Sequence, residues 1–200
     1  LCPNHRRETT RCTSTDGICR LLQLRRVAFV ASEKPEMSVS AKTNQVEADM
    51  IAAMVERIFR QADRFDDSAT VGVIVPYRNQ IATVRNAIDR YGIPALHSIT
   101  IDTVERFQGS QRDYIIYGLT VQQRCQLNFL TDNVFEEDGT LIDRKLNVAM
   151  TRARKHLTIV GNPDILAGSA VYRRLMDFMK SRGCYFNVAC EKFCAGDFSV

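Results

Sequence analysis

The sequence predicts an α/β protein with a doubly wound, mainly parallel sheet. Short apolar stretches alternate with segments of helical periodicity, which is typical of repeated strand–helix units. Residues 71–75 form a continuous apolar run that Pro76 ends, as expected of a parallel strand covered on both faces. In the helix predicted over residues 45–61, apolar residues recur at every fourth position and belong to the core: Val46, Met50, Met54 and Ile58.

The remaining elements follow from the same two periodicities. Asn44 and Glu47 have capping-box spacing, so the Asn44 side chain can accept a hydrogen bond from the Glu47 amide at the start of the first helix. Strands are predicted at residues 27–31, 71–75, 99–103, 114–121, 157–160 and 185–188. Further helices are predicted up to Gly92, with its inward residues at 81, 84 and 88, and over residues 170–182.

The chain divides into a basic N-terminal segment and one domain. Residues 1–26 are rich in arginine and lack clear periodicity, so we predict a frayed remnant of upstream sequence, with a basic loop along a nucleic-acid path as the alternative. Residues 27–200 form the predicted domain. A polar loop insertion interrupts it at about residues 122–143, with a turn signal, EEDG, at residues 136–139.

The composition is that of a globular protein with an arginine-rich surface. The 200 residues carry a net charge of +4, with 45% hydrophobic and 25% charged residues. No apolar run approaches the ~20 residues that cross a bilayer. Because the planar fork of arginine suits phosphate and base stacking, the chain is a candidate polyanion binder, although solvated surface charge also explains the composition.

The seven cysteines indicate reduced thiols and an intracellular protein, either cytoplasmic or nuclear. Their number is odd and their spacing is not that of a disulfide framework. Four residues near the start have loose zinc-ligand spacing, but no paired CxxC is present, so we predict no metal site: Cys2, His5, Cys12 and Cys19.

Two polar motifs lie close to strand ends. In LNVAMTRAR (residues 146–154), helical periodicity predicts one buried face: Leu146, Ala149, Met150 and Ala153. Arg152 and Arg154 diverge on an unbroken helix, so one can act as an arginine finger while the other contacts nucleic acid or an internal carboxylate. Two solvated arginines are the alternative. TVERFQGSQRD (residues 103–113) leaves a strand through a Gln-Gly turn, which is a weak signal by itself.

Three segments together resemble the C-terminal motor-domain motifs of superfamily 1 helicases, most closely the Upf-like group that translocates 5′ to 3′ on single strands. They are VGVIVPYRNQ, TVERFQGSQRD and LNVAMTRARKHLTIVGNP, at residues 71–80, 103–113 and 146–163. The resemblance implies the second RecA-like domain of a P-loop NTPase. It also implies ATP and Mg²⁺ as cofactors, bound mainly by a first motor domain.

The resemblance also implies roles for individual residues. Arg152 corresponds to the arginine finger. The nucleotide is implied to contact Gln108, Gly109, Gln111 and Arg154. Single-stranded DNA or RNA is implied to contact Pro76, Tyr77, Thr103 and Asn147. Gln111 departs from the family, which has glutamate in its QGxExD motif, so ribose binding or coupling is expected to be weaker.

Several parts of a complete motor are not found in the sequence. It has no GxxxxGK[ST] loop and no apparent acidic Walker B strand, and the QYR-type motif of the family would lie before Leu1. We therefore expect the chain to be inactive alone and to work with an N-terminal RecA-like domain of the same parent protein. We do not expect it to bind a membrane.

Three other functions are compatible with parts of the sequence. DGTLIDRK (residues 138–145) superficially resembles a metal-dependent nuclease motif. A non-catalytic scaffold derived from a helicase domain is mildly favoured by Gln111. A plain nucleotide-binding α/β protein lacks its expected glycine-rich first turn, and single-strand binding that weakens steeply with salt would favour the motor over it.

Overall fold

The computed structural model of the chain describes residues 15–33, 40, 42–107 and 110–200. Within them, six strands form one sheet: β1 (Val27–Ala31), β2 (Val71–Ile74), β3 (Thr100–Asp102), β4 (Arg112–Gly118), β7 (Ala153–Gly161) and β8 (Tyr185–Asn187). Their order is β3-β2-β4-β7-β1-β8, and every neighbouring pair is parallel. Two further strands, β5 (Val134–Glu137) and β6 (Thr140–Asp143), form an antiparallel hairpin.

Helices cover both faces of the sheet, which confirms the doubly wound α/β prediction. One face carries α1 (Gly17–Leu24), α2 (Gln45–Gln61), α3 (Arg78–Asp89) and α8 (Cys190–Ala195). The other face carries α4 (Cys125–Thr131), α5 (Arg144–Arg152), α6 (Pro163–Leu166) and α7 (Ala170–Ser181). Side chains of β1 alternate between the two cores, since Ala28 and Val30 join the first while Phe29 and Ala31 join the second.

The first long helix forms as its sequence predicts. Asn44 caps α2 by accepting a hydrogen bond from the Glu47 amide at 3.1 Å. Met50 and Met54 are fully buried, so the methionine stripe belongs to the core. Within the described residues, no helix combines the length and apolar character that a membrane crossing requires.

The structure differs from the prediction near the N-terminus. Residues 17–24 form α1 rather than a frayed segment, and Asp16 caps this helix by accepting from the Cys19 amide at 2.9 Å. Ile18 and Leu21 are fully buried against the core. The three-residue spacing of these two side chains is the helical period, but it covers less than two turns and lies among arginines. The helix is therefore easily overlooked in the sequence. The assignment of residues 1–26 to a separate segment stays a prediction.

The predicted loop at residues 122–143 contains regular structure. Helix α4 and the β5–β6 hairpin occupy most of it. The EEDG turn signal is confirmed, because Asp138 and Gly139 have φ values of 49° and 72° at the tip of the hairpin. The hairpin strands carry charged residues on an exposed face, so their alternation is weak in the sequence.

Helix α5 ends earlier than the predicted amphipathic pattern. It stops at Arg152, and β7 begins at Ala153, so Arg154 lies on a strand and not on the helix. Met150, predicted to be buried, is 46% exposed, whereas Leu146 and Ala149 do face the core. No glycine or proline marks this helix-to-strand junction. The predicted helix therefore extended past Arg152 into residues that belong to β7.

The contribution of α1 to stability can be measured with two substitutions on the same helix. Leu21→Ala is expected to lower the free energy of unfolding by about 2–5 kcal/mol, because it removes a fully buried side chain. Leu24→Ala is the control, since Leu24 is 48% exposed and should change the value by about 0.5 kcal/mol or less. Urea unfolding followed by circular dichroism measures both, and equal effects would contradict the packing of α1.

Candidate functional site

Arg152 is the last residue of α5, and the anchoring of that helix determines its position. Asp143 caps α5 by accepting hydrogen bonds from the amides of Lys145 and Leu146 at 2.8 and 3.0 Å. Tyr172 donates a hydrogen bond to the other oxygen of Asp143 at 3.0 Å. Because Asp143 is buried, this cap fixes the start of the helix, and the nine-residue length of α5 then places Arg152 at the amino edge of the sheet.

The guanidinium group of Arg152 has one donor, its Nε, that finds no acceptor among the described residues. The residue is half-buried, and its Nε is buried without a hydrogen-bond partner in the described part of the chain. A buried donor without a partner costs free energy, and such groups are found where an anion or another acceptor binds. This geometry fits a ligand that carries negatively charged oxygens.

Gln111 and Arg154 lie beside Arg152 at the same edge. Gln111 immediately precedes β4, and its Nε2 donates to the carbonyl of Thr151 at 3.5 Å. Arg154 donates from Nε to Oε1 of Gln111, also at 3.5 Å. Both hydrogen bonds are long and both residues are exposed, so a ligand could replace these contacts. Gln108 and Gly109 lie outside the described residues.

A third arginine, which the sequence patterns did not single out, adds positive charge at this edge. Arg112 donates hydrogen bonds to the Gln111 carbonyl and to Thr100, while its Nε is buried without a partner in the described part of the chain. Burial lowers the pKa of the Arg112 guanidinium, and the nearby charge of Arg154 lowers it further. The amino edges of β4 and β7 therefore hold three arginines, at 112, 152 and 154, beside the ion pair of Asp113 with Lys155.

The residues implied in nucleic-acid binding lie mostly at the opposite, carboxyl edge. Pro76 and Tyr77 follow β2, and Thr103 follows β3. The Tyr77 ring stacks on Phe129 of α4 at 5.0 Å between centroids, and Phe129 is 45% exposed. Asn147 is exposed on α5, and among the described residues it shares no hydrogen bond with the other three. The structure thus brings three of the four to one edge.

A buried polar network supports this carboxyl edge. The backbone amide of Asn44 donates to Oε1 of Gln80 at 2.8 Å, and Nε2 of Gln80 donates to the Asn44 carbonyl at 2.8 Å. Glu47 accepts hydrogen bonds from the Thr120 amide at 2.8 Å and from the Ser32 hydroxyl at 3.2 Å. Sequence patterns identified Asn44 and Glu47 only as a helix cap, because their other partners are distant in the chain.

Glu47 is fully buried, and its protonation state is unusual. Burial raises the pKa of the Glu47 carboxyl to about 8, although the hydrogen bonds from Thr120 and Ser32 oppose the shift. The group therefore gains its charge near neutral pH rather than in acid. Its partners connect the ends of β1 and β4 to the start of α2.

The residues of the nuclease-like motif have structural roles. Asp138 forms the hairpin tip and Asp143 caps α5. Lys145 donates to Asp132 at 2.8 Å and to the Phe129 carbonyl at 2.9 Å. In the described part of the chain, no cluster of three or more His, Cys, Asp or Glu residues could hold a metal ion.

Comparison with known proteins gives one family. Residues 6–164 match the family described as AAA domain. Helicase sen1 of Schizosaccharomyces pombe is 33% identical over 141 residues, or 70% of this chain and 8% of that protein. The ATP-dependent helicase NAM7 of Saccharomyces cerevisiae is 28% identical over 145 residues, or 70% of this chain and 14% of that protein. The chain thus spans about a tenth of the length of these relatives.

Among solved structures, the chain aligns with the C-terminal domain of a possible DNA helicase from Lactobacillus plantarum WCFS1. The alignment covers 90% of this chain and 99% of the other, with a TM-score of 0.42 and 13% sequence identity. The strand order of the sheet, rather than this alignment, is the basis for the fold class.

The raised pKa of Glu47 makes a prediction about stability. In the unfolded chain the carboxyl titrates near 4.5, whereas in the folded protein it keeps its proton up to about pH 8. The folded state therefore binds more protons between these values, and the stabilisation is fully present below about pH 4.5 and lost as pH rises through 8. Relative to Glu47→Gln, the wild type should lose about 1.4 kcal/mol of unfolding free energy per pH unit within this window.

Urea unfolding of the wild type and of Glu47→Gln at several pH values measures this difference. The contributions of the other titrating groups are the same in both proteins and cancel. Glu105→Gln is the matched control, because Glu105 is exposed. Parallel stability profiles for the wild type and Glu47→Gln would contradict a protonated Glu47 in the fold.

Proposed function

The chain belongs to the AAA domain family as a C-terminal RecA-like motor domain of the Upf-like superfamily 1 helicases, and we propose that it works as the trailing half of an ATP-dependent nucleic-acid helicase or translocase. The observation that carries this proposal is the position of Arg152 in the family motif at the end of α5, with a buried Nε that has no hydrogen-bond partner among the described residues. In this role the chain supplies the arginine finger, one wall of the ATP cleft and part of the single-strand track.

The arginine cluster at the amino edge is the proposed nucleotide wall. ATP, when bound, would supply a γ-phosphoryl group whose negative charge is spread over its oxygen atoms in the transition state. Arg152 would place its positively charged guanidinium against that phosphoryl group, and its attachment to a capped helix limits the reorganisation that binding requires. Gln111 and Arg154, with Gln108 and Gly109, hold the rest of the nucleotide. Mg²⁺ is held mainly by the first motor domain.

The carboxyl edge is the proposed nucleic-acid track. Pro76, Tyr77 and Thr103 lie at the ends of neighbouring strands, where the backbone of a single strand can pass across them. Asn147, on α5, is proposed as a further contact to the single-stranded nucleic acid. Backbone contacts and stacking do not distinguish DNA from RNA, so either polymer can serve as substrate.

The segment at residues 103–111 connects the proposed sites. It begins at the carboxyl edge after β3 and ends at the amino edge before β4. Phe107 is fully buried and anchors the segment, and a side chain at Gly72 would lie 2.8 Å from the Phe107 ring. Thr103 and Gln111 thus lie at opposite edges of the sheet, on either side of the buried Phe107.

A scaffold derived from a motor domain is the second candidate function. Gln111 favours it, because glutamine replaces the family glutamate and its amide already bonds to Thr151 and Arg154. A scaffold would keep the fold and its binding surfaces without turning over ATP.

Both functions can be tested with the longer parent protein that contains this chain. The motor predicts ATP hydrolysis that single-stranded DNA or RNA stimulates, and the 200-residue chain alone should show none because it lacks the phosphate-binding loop. Phosphate release measures the rates. A parent protein that is folded and binds single strands but hydrolyses no ATP would support the scaffold. Turnover by the chain alone that Arg152→Ala abolishes would refute its dependence on a first domain.

A further inference from the structure

Two free cysteines lie side by side on α8, far along the chain from the family motifs. The sulfur atoms of Cys190 and Cys194 are 3.9 Å apart. Both side chains are partly buried, so neither is sealed in the core. The pair is therefore close enough for one thiol to hydrogen-bond to the other and accessible enough to react.

The surroundings of Cys194 favour its thiolate. The hydrogen bond from Cys190 lowers the pKa of the Cys194 thiol, and the charges of Arg57 and Arg90 lower it further, against the opposing effects of burial and of Asp49. The same hydrogen bond raises the pKa of Cys190, so the shared proton stays on that residue. Arg57 also donates to the Cys194 carbonyl at 3.1 Å, which holds the guanidinium beside the end of α8.

An open cavity gives small molecules access to this pair. It has a volume of about 390 Å³ and lies between α2, α3 and α8. Charged groups of both signs line it together with Tyr91 and the two cysteines: Asp49, Arg90 and Glu191. Arg90 and Asp49 pair with each other across it, and Ala52 and Ala87 add apolar surface to its lining.

We propose that Cys194 is a thiol-modification site, at which small disulfides such as oxidised glutathione react in the cavity beside α8. The Cys194 thiolate attacks one sulfur of the disulfide and forms a new S–S bond. The old S–S bond breaks, and its electron pair leaves with the second sulfur as a thiolate that takes a proton from water. Cys194 is oxidised to the mixed-disulfide level, and the small disulfide is reduced.

The mixed disulfide should persist rather than convert to a Cys190–Cys194 bond. Residues four apart on a helix are separated by about 6 Å along its axis. A disulfide needs Cβ atoms about 3.5–4.5 Å apart, so closing it would distort α8. Cys190 therefore acts on Cys194 through the hydrogen bond between the two thiols and not as its disulfide partner, and its sulfur also lies 3.8 Å from the Val46 carbonyl oxygen.

Site-resolved mass spectrometry after incubation with oxidised glutathione tests the proposal. Cys2 and Cys12, which lie outside the described residues, are replaced by serine in every protein. Cys194 is expected to be modified at least about 10-fold faster than Cys125, although Cys125 is the more exposed thiol. Cys190→Ala should slow the reaction at Cys194, Cys190→Ser should retain part of the rate through its hydroxyl, and Cys125→Ser should leave it unchanged.

Two results would overturn the proposal. One is modification of Cys125 at least as fast as that of Cys194, since exposure would then govern reactivity. The other is an unchanged rate at Cys194 in Cys190→Ala, since the paired thiol would then have no effect. Circular dichroism establishes that each variant is folded. If Cys190→Ala unfolds, the comparison of the rates at Cys194 and Cys125 in the protein that keeps Cys190 still tests the proposal.

Discussion

The burial of the parallel sheet on both faces is the constraint on which the other features of this protein depend. Helices cover each face, so the strands contribute apolar side chains to two cores. Polar and charged groups that could bind ligands are left to the two ends of the strands. The arginine cluster lies at the amino edge, and the Tyr77 turn and Thr103 lie at the carboxyl edge. The two proposed sites therefore lie at opposite ends of the same strands.

The sequence predicted those parts of the fold that local patterns specify. Helix α2 follows from its apolar period and Asn44 cap, and β2 follows from an uninterrupted apolar run. Helix α1 is short and surrounded by arginines, and the β5–β6 hairpin has weak alternation, so both were missed. Arg154 was placed on a helix because no glycine or proline precedes β7. The boundary there depends on pairing with β4, which a local pattern does not contain.

The candidate site shows a similar division. Motif order identified Arg152, but the burial of its Nε, which has no partner among the described residues, and the hydrogen bond from Tyr172 to the Asp143 cap depend on contacts between distant segments. The Glu47 network is also non-local, because Ser32 and Thr120 are far from Glu47 in sequence. Residue types indicated the chemistry, whereas burial and partners determine which atoms are available for it.

We propose that Arg152 acts on the transferring phosphoryl group. Steady-state ATP hydrolysis by the parent protein, saturated with single strands, tests this most directly when Arg152→Ala is compared with Arg144→Ala. Arg144 lies on the same helix and packs over Phe135 at 4.7 Å, away from the arginine cluster. We expect a kcat lowered by about 10³-fold or more for Arg152→Ala, and a kcat close to wild type for Arg144→Ala. Equal kcat values for Arg152→Ala and the wild type would contradict it.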